Sequence, residues 1–127
     1  MIVVDASAAL SALLNDGPSR QTLARERLHA PHLIDSEVAS GLRGQVGARA
    51  LDAQGGWAAL DAWRHLGITR YPIFALLERV WELRDNLSAY DACYVALAEQ
   101  LGCSLLTADL RLGGAPGIRC PIVVVPR

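Results

Sequence analysis

The chain has 127 residues, which is enough for one domain, residues 1–127, with a single hydrophobic core. Hydrophobic residues make up 52 % of it and the mean hydropathy is +0.24, values that exclude a disordered chain. A net charge of −1 gives no overall basic field to attract nucleic acid, and no apolar run approaches the roughly 18 residues that cross a bilayer.

The chain shows no sign of export. Its first residues lack a basic segment, and Asp5 interrupts their apolar run, so they do not resemble a secretion signal. Cys93, Cys103 and Cys120 are an odd number of cysteines without a CxxC spacing, which is typical of buried thiols in a reducing compartment. We therefore expect a cytoplasmic protein with no membrane segment.

Short apolar runs, most of them rich in β-branched residues, alternate with helical patterns along the whole chain. In chain order the predicted elements are a strand at 2–4, helices at 8–14 and 19–28, a strand at 28–32, helices at 34–45 and 48–66, a strand at 68–71, helices at 73–83 and 88–101, and strands at 104–107 and 122–125. This alternation predicts the α/β class, an α/β/α sandwich around a central, mostly parallel sheet of four to five strands.

Local signals predict where the helices begin. Ser7 is the expected N-cap of the first helix, and Asp35 or Ser36 that of the third. The stretch at 48–66 is predicted to be one helix or a helix pair, loosened by two glycines at 55 and 56. The helix that follows Ser88 is apolar almost all round, which predicts that it is packed deep in the domain.

Four carboxylates have unusual places in this pattern. Asp5 and Asp109 follow predicted strands, and Glu37 and Asp91 open predicted helices. In a parallel α/β sheet these positions lie at the carboxyl ends of the strands, where ligands bind. We therefore expect the four acids to converge on one cleft.

Each acid also has a purely structural interpretation. Ser88-x-x-Asp91 resembles a capping box, Glu37 would interact favourably with a helix dipole, and Asp109 could cap a short helix. Asp5 fits this interpretation least well, because Ser7 can already cap the helix and a buried carboxylate then lacks an obvious partner.

Convergence of four acids would require a compensating cation. All twelve basic residues other than histidine are arginines, a pattern that a GC-rich coding bias also produces, so no lysine is present to supply the charge. Oxygen ligands suit Mg²⁺ or Mn²⁺, which orient water and stabilise the charge of phosphoryl transfer.

Four segments, in order, carry a resemblance to a known family. They are VVDASA at 3–8, LIDSEVASGLR at 33–43, LSAYDACYVALAE at 87–99 and LLTADLRL at 105–112. Together they resemble the PIN-domain ribonucleases, and most closely the VapC toxins of bacterial type II toxin–antitoxin systems. The order and spacing cover essentially the whole chain.

The resemblance implies a metal-dependent endoribonuclease that inhibits translation and growth. The residues matching the family's acidic site are Asp5, Glu37, Asp91 and Asp109, which would hold Mg²⁺ or Mn²⁺ while water cleaves RNA to 5′-phosphate and 3′-hydroxyl ends. The hydroxyls of two further matching residues, Ser7 and Thr107, would support these acids or bind water.

The resemblance also implies partners. VapC toxins are typically homodimers, held inactive by a cognate VapB-type antitoxin whose own DNA-binding domain brings the complex to an operator. Arg43, Arg84 and Arg111 lie near the acidic segments and could meet RNA phosphates or the antitoxin, although exposed arginines without a role fit equally well.

The aromatic residues are expected to be structural. Trp57, Trp63 and Trp81 fall on helical faces, which favours the core or an interface over base stacking. Tyr90, beside Asp91, is the aromatic residue that could reach the cleft, and a place in the core is favoured for it too.

Two other functions remain as alternatives. A phosphoacceptor receiver domain has a similar size and an acidic Mg²⁺ pocket, but it usually has adjacent acids after its first strand and a late lysine, whereas Ala6 follows Asp5 here. A catalytically degenerate PIN-like protein-interaction module is the second alternative, against which the four intact acids argue.

Overall fold

Five short strands form one sheet in the computed structural model, which describes residues 1–127. All neighbouring strands are parallel, and their order is β3-β2-β1-β4-β5. The strands are β1 (Ile2–Val4), β2 (Leu28–Pro31), β3 (Ile68–Tyr71), β4 (Ser104–Thr107) and β5 (Ile122–Val124). The predicted parallel sheet is confirmed, and it has five strands, the larger of the two numbers predicted.

Seven α-helices connect the strands. They are α1 (Ala6–Leu14), α2 (Pro18–Arg25), α3 (Ile34–Gly47), α4 (Ala53–Arg64), α5 (Leu77–Glu82, after a 3₁₀ turn at Phe74–Leu76), α6 (Ala89–Leu101) and α7 (Leu110–Gly113). Since crossovers between parallel strands are right-handed, the reversal of direction after β3 places α1 to α4 on one face of the sheet and α5 to α7 on the other. The predicted α/β/α layers are therefore present.

The core lies along the two central strands and the helix that covers them. Val3 and Val4 of β1 and Leu105 and Leu106 of β4 are fully buried. Helix α6 buries seven consecutive residues, from Ala92 to Ala98, and contacts β1, β2 and β4. This burial confirms that the apolar helix is packed deep in the domain, so its N-terminal turn is held firmly at the carboxyl end of the sheet.

None of the helices has the length and hydropathy needed to span a bilayer.

Two predicted N-caps are wrong. Helix α1 begins at Ala6, and its N-cap is Asp5, whose side chain accepts the Ala8 N–H, because the Ser7 hydroxyl is engaged elsewhere. Helix α3 begins after Leu33 without a side-chain cap. Asp35 instead accepts hydrogen bonds from Arg70 on β3 at 2.7 Å and 2.9 Å, so tertiary pairing takes the carboxylate that was expected to cap the helix.

The segment predicted as a helix at 48–66 is helical only over α4. Asp52 caps α4 by accepting the Gly55 N–H, so the two glycines lie in its first turn and interrupt nothing. The glycines were expected to loosen the helix, but the N-terminal turn tolerates them because its N–H groups have no partners within the helix.

Of the three tryptophans, only Trp63 is a core residue; it is buried and donates its indole N–H to Asp35. Trp57 and Trp81 are exposed, with Arg64 and Arg84 respectively stacked on their rings, so neither belongs to the core. Tyr90 is 66 % exposed and is also not a core residue.

The three cysteines are free, as expected, but only Cys93 is fully buried, while Cys103 and Cys120 are partly exposed. Burial nevertheless raises the pKa of Cys120 to about 11, which keeps this thiol protonated and unreactive at neutral pH.

Candidate active site

The centre of the sheet contains a topological switch point. Neighbouring strands β1 and β4 send the chain in opposite directions, from β1 toward β2 and from β4 toward β5. The two connections diverge beyond the carboxyl ends of these strands and leave a crevice between them, the usual ligand site of open α/β sheets. Asp5 follows β1 and Asp109 follows β4, so both acids stand at this crevice.

Asp5 is 5 % exposed and is bound only by neutral groups. One carboxylate oxygen accepts the Ser7 hydroxyl at 2.7 Å and the Ala8 N–H at 2.9 Å, and the other accepts the Thr107 hydroxyl. The sequence showed no obvious partner for this buried carboxylate, because one of its donors, Thr107, is 102 positions away and lies beside it on the neighbouring strand. Three donors orient the carboxylate without neutralising it.

Ser7 and Thr107 form a hydrogen-bonded frame around Asp5. Their hydroxyl oxygens are 3.2 Å apart, and each also accepts a backbone N–H, Ser7 from Ala108 at 2.9 Å and Thr107 from Asp109 at 3.0 Å. The frame therefore couples the end of β1 to the residues that follow β4. Both hydroxyls therefore lie against Asp5, one of the acids that the family resemblance implied they would support.

Glu37 lies in the first turn of α3, and it is close enough to Asp5 and Asp91 to interact with both. Its Oε1 atom accepts the hydroxyl of Tyr94 on α6 at 2.5 Å, while Oε2 has no hydrogen-bond partner. Tyr94 was not singled out from the sequence. Its spacing carried a signal, because a residue three positions after Asp91 shares a helix face with it, whereas Tyr90 does not.

Asp91 opens α6, and the capping-box interpretation is only half correct. Ser88 accepts the Asp91 N–H at 3.1 Å, but the reciprocal bond from the Ser88 N–H to the Asp91 carboxylate is not formed. Ser88 thus caps the helix, and the carboxylate lines a shallow depression together with Asp109 and Arg111. The cap that Ser88 provides therefore does not depend on the Asp91 carboxylate.

Asp109 has a different environment, because Arg111 binds it. The guanidinium donates to both carboxylate oxygens at 3.1 Å and 2.9 Å, and the Arg111 N–H donates to one of them at 3.0 Å. Asp109 therefore does cap α7, as its structural interpretation proposed. The pairing with Arg111 keeps the pKa of Asp109 below its usual range.

The other three acids have raised pKa values. Burial is the main cause of the raised pKa of Asp5, Glu37 and Asp91, and repulsion between carboxylates adds to it. Asp91 raises the pKa of both Asp5 and Glu37, and Asp109 raises the pKa of Asp91. The four acids are therefore close enough to interact, and three of them, Asp5, Glu37 and Asp91, form no ion pair.

The predicted arginines do not share one place. Arg111 lies at the rim, and its side chain is almost fully exposed. The side chain of Arg43 is exposed on α3 and makes no hydrogen bond or ion pair. The side chain of Arg84 donates to the Trp81 carbonyl at 3.0 Å and stacks on the indole ring. The structure brings only Arg111 into contact with an acid of the site.

The donor set fits a hard divalent cation. Asp5, Glu37 and Asp91 offer only carboxylate oxygens, and neither a guanidinium nor an imidazole pairs with them. As the side chains stand, no three acidic, histidine or cysteine side chains form a closed set of metal ligands. Mg²⁺ does not need such a set, because it retains several waters and uses one or two carboxylates together with substrate phosphates.

Comparisons with known proteins agree with this geometry. The profile of the PIN domain family matches residues 2–117. The ribonuclease VapC9 of Mycobacterium tuberculosis is 64 % identical over 127 residues, which cover all of both chains.

Among solved structures, the sarcin–ricin loop cleaving toxin VapC20 of M. tuberculosis superposes with a TM-score of 0.70 at 18 % identity over 100 % of both chains. A chain of VapBC2 from Rickettsia felis, solved bound to a DNA fragment from its promoter, superposes with a TM-score of 0.66 at 13 % identity over 96 % of this chain and 98 % of the other. At these identities the likeness shows a shared fold.

Proposed function

This chain belongs to the PIN domain family and is closely related to the VapC ribonucleases, and on that premise we propose that it is a metal-dependent endoribonuclease toxin. Asp5, Glu37, Asp91 and Asp109 would hold Mg²⁺ or Mn²⁺. The substrate is RNA, and the reaction adds water across a phosphodiester bond to leave a 5′-phosphate and a 3′-hydroxyl.

The observation that carries the proposal is the contrast between three acids of the site, Asp5, Glu37 and Asp91, and the acids that an arginine binds. Asp35 and Glu99 are each bound by two nitrogens of an arginine, which neutralises them. Asp5, Glu37 and Asp91 have no such partner, and burial, with added repulsion between carboxylates, raises their pKa values. A protein gains nothing in stability from this arrangement, so a cation that binds there offers the physical reason for it.

The residues of the chain would divide the work. A bound divalent cation supplies charge neutralisation for the phosphate and lowers the pKa of water. Ser7 and Thr107 hold Asp5 in one orientation, which reduces the reorganisation needed when substrate arrives. Arg111, exposed at the rim, would bind an RNA phosphate.

Cleavage of RNA in Mn²⁺ or Mg²⁺ tests the proposal. Asp5→Asn and Asp91→Asn keep the shape of the side chain and remove its charge, and we expect each to lower the cleavage rate by more than about 100-fold. Asp61→Asn is the matched control, because Asp61 is an exposed acid that pairs with Arg64 on α4. Full activity in both site variants, or cleavage that resists a chelator, would refute the proposal. A folded wild-type chain that cleaves no RNA would instead favour the interaction module.

The proposal extends to partners and to the cell. Its basis is the relationship to the VapC ribonucleases, from which we propose a cognate VapB-type antitoxin, a homodimer, and contact with operator DNA only through the antitoxin. Expression in the cytoplasm should arrest translation and growth, and the Asp5→Asn variant should not. Co-expression with the antitoxin should restore growth and yield a complex that no longer cleaves RNA.

A further inference from the structure

Tyr94 is the one tyrosine that contacts an acid of the candidate site. Its side chain is 2 % exposed, and its hydroxyl donates to Oε1 of Glu37 at 2.5 Å. The Oε2 atom of Glu37 has no hydrogen-bond partner. The hydroxyl therefore holds one oxygen of this carboxylate and leaves the other available.

We propose that Tyr94 is a positioning residue, which fixes the orientation of Glu37 so that its free oxygen faces the divalent cation. The inference rests on the proposed function and adds a residue to that site. Tyr94 would not contact the substrate or the cation, and it would act only through Glu37.

The kind of donor supports this role. Asp35 and Glu99, which lie outside the site, are each held by an arginine, whose charge would compete with a cation for the same carboxylate. Asp5 and Glu37 are held by hydroxyls, which donate a hydrogen bond and leave the full negative charge in place. The chain thus uses neutral donors for the two acids at the centre of the crevice, and Tyr94 has the same part for Glu37 that Ser7 and Thr107 have for Asp5.

Helix α6 makes Tyr94 a rigid support. The ring lies within the run of seven consecutive buried residues, and Tyr94 shares a helix face with Asp91 one turn earlier. Its bond to Glu37 links α6 to α3, which belong to opposite helical layers, and spans 57 positions of sequence. A glutamate has three side-chain torsions, so it has more to gain from such a support than the shorter Asp5.

Binding of Mn²⁺ to the full-length Tyr94→Phe variant tests the inference, because this change removes the hydroxyl and keeps the buried ring. Tyr71→Phe is the matched control: its hydroxyl makes a similar bond, 2.7 Å from Nδ1 of His29, between β3 and β2. By isothermal titration calorimetry we expect Tyr94→Phe to bind Mn²⁺ about tenfold more weakly and Tyr71→Phe to bind it like the wild type. In cleavage assays Tyr94→Phe should lower kcat and leave the KM for RNA unchanged.

A double-mutant cycle separates positioning from a general structural effect. In a Glu37→Gln background, which leaves the core intact, Tyr94→Phe should change Mn²⁺ affinity no further. A wild type that binds Mn²⁺ no more tightly than Tyr94→Phe would overturn the inference while the proposed function stands. A loss that persists undiminished in the Glu37→Gln background would also overturn it. A wild type that neither binds Mn²⁺ nor cleaves RNA would overturn the proposed function, and this inference with it.

Discussion

Thr107→Val should destabilise the protein strongly, although it alters the shape of the side chain very little. The Thr107 hydroxyl is fully buried, donates to the Asp5 carboxylate and accepts the Asp109 N–H at 3.0 Å. Valine has a similar volume and no hydroxyl, so both partners lose a hydrogen bond, and the Asp5 carboxylate loses it in a buried position.

The size of the loss follows from the two bonds. A hydrogen bond to a charged group contributes about 1.5–3 kcal/mol, and one between neutral groups about 0.5–1.5 kcal/mol. We therefore expect the free energy of unfolding to fall by about 2–4 kcal/mol. In a domain of this size such a loss lowers Tm by about 10 °C.

Thermal and urea unfolding at pH 7 in a chelator, followed by circular dichroism, measure this loss. Thr22→Val on α2 is the control, because the Thr22 hydroxyl donates to the Pro18 carbonyl at 2.9 Å on the surface, where water can replace the bond. We expect the control to lose less than about 1 kcal/mol. If Thr107→Val cost no more than Thr22→Val, the idea that hydroxyls hold a buried ionised Asp5 would be refuted.

Three further predictions concern the helix start, the ion pairs and the cation. Ser88→Ala should lower the free energy of unfolding by about 1 kcal/mol and leave RNA cleavage intact. Asp91→Asn should leave stability intact and abolish cleavage. The opposite pattern would make Asp91 a capping residue. The bonds from Arg79 lower the pKa of Glu99, so their contribution is complete above the unfolded pKa and lost as the pH falls through the folded value. Glu99→Gln should therefore lower the free energy of unfolding at pH 7 by about 1–3 kcal/mol, and with it the Tm. If the difference in Tm between wild type and variant failed to shrink below about pH 4, this prediction would be contradicted. Mn²⁺ at 100 times its Kd should stabilise the wild type by about 2.7 kcal/mol at pH 7. If adding Mn²⁺ left the Tm unchanged both in the wild type and in Asp5→Asn, that result would count against a shared cation site.

Much of the fold was predictable because its signals are local. Short apolar runs that end at an acid predicted strands β1 and β4, and the apolar pattern after Ser88 predicted α6 and its burial. The helix starts were less predictable, since Asp5 and Ser7 both favour N-cap positions and the choice depends on what else each side chain contacts. Exposure of Trp57 and Trp81 was not predictable for the same reason, because helical periodicity cannot say which face another element covers.

By itself, then, the sequence determined the order of the elements, the α/β class and the four acids at strand ends and helix starts, all properties of residues close together in the chain. Tertiary structure decided the rest. The strand order put β1 beside β4, which created the switch point and brought Thr107 to Asp5 across 102 positions. It also brought Tyr94, and not Tyr90, to Glu37. Such contacts depend on which strands and layers become neighbours, and no pattern within one segment contains that information.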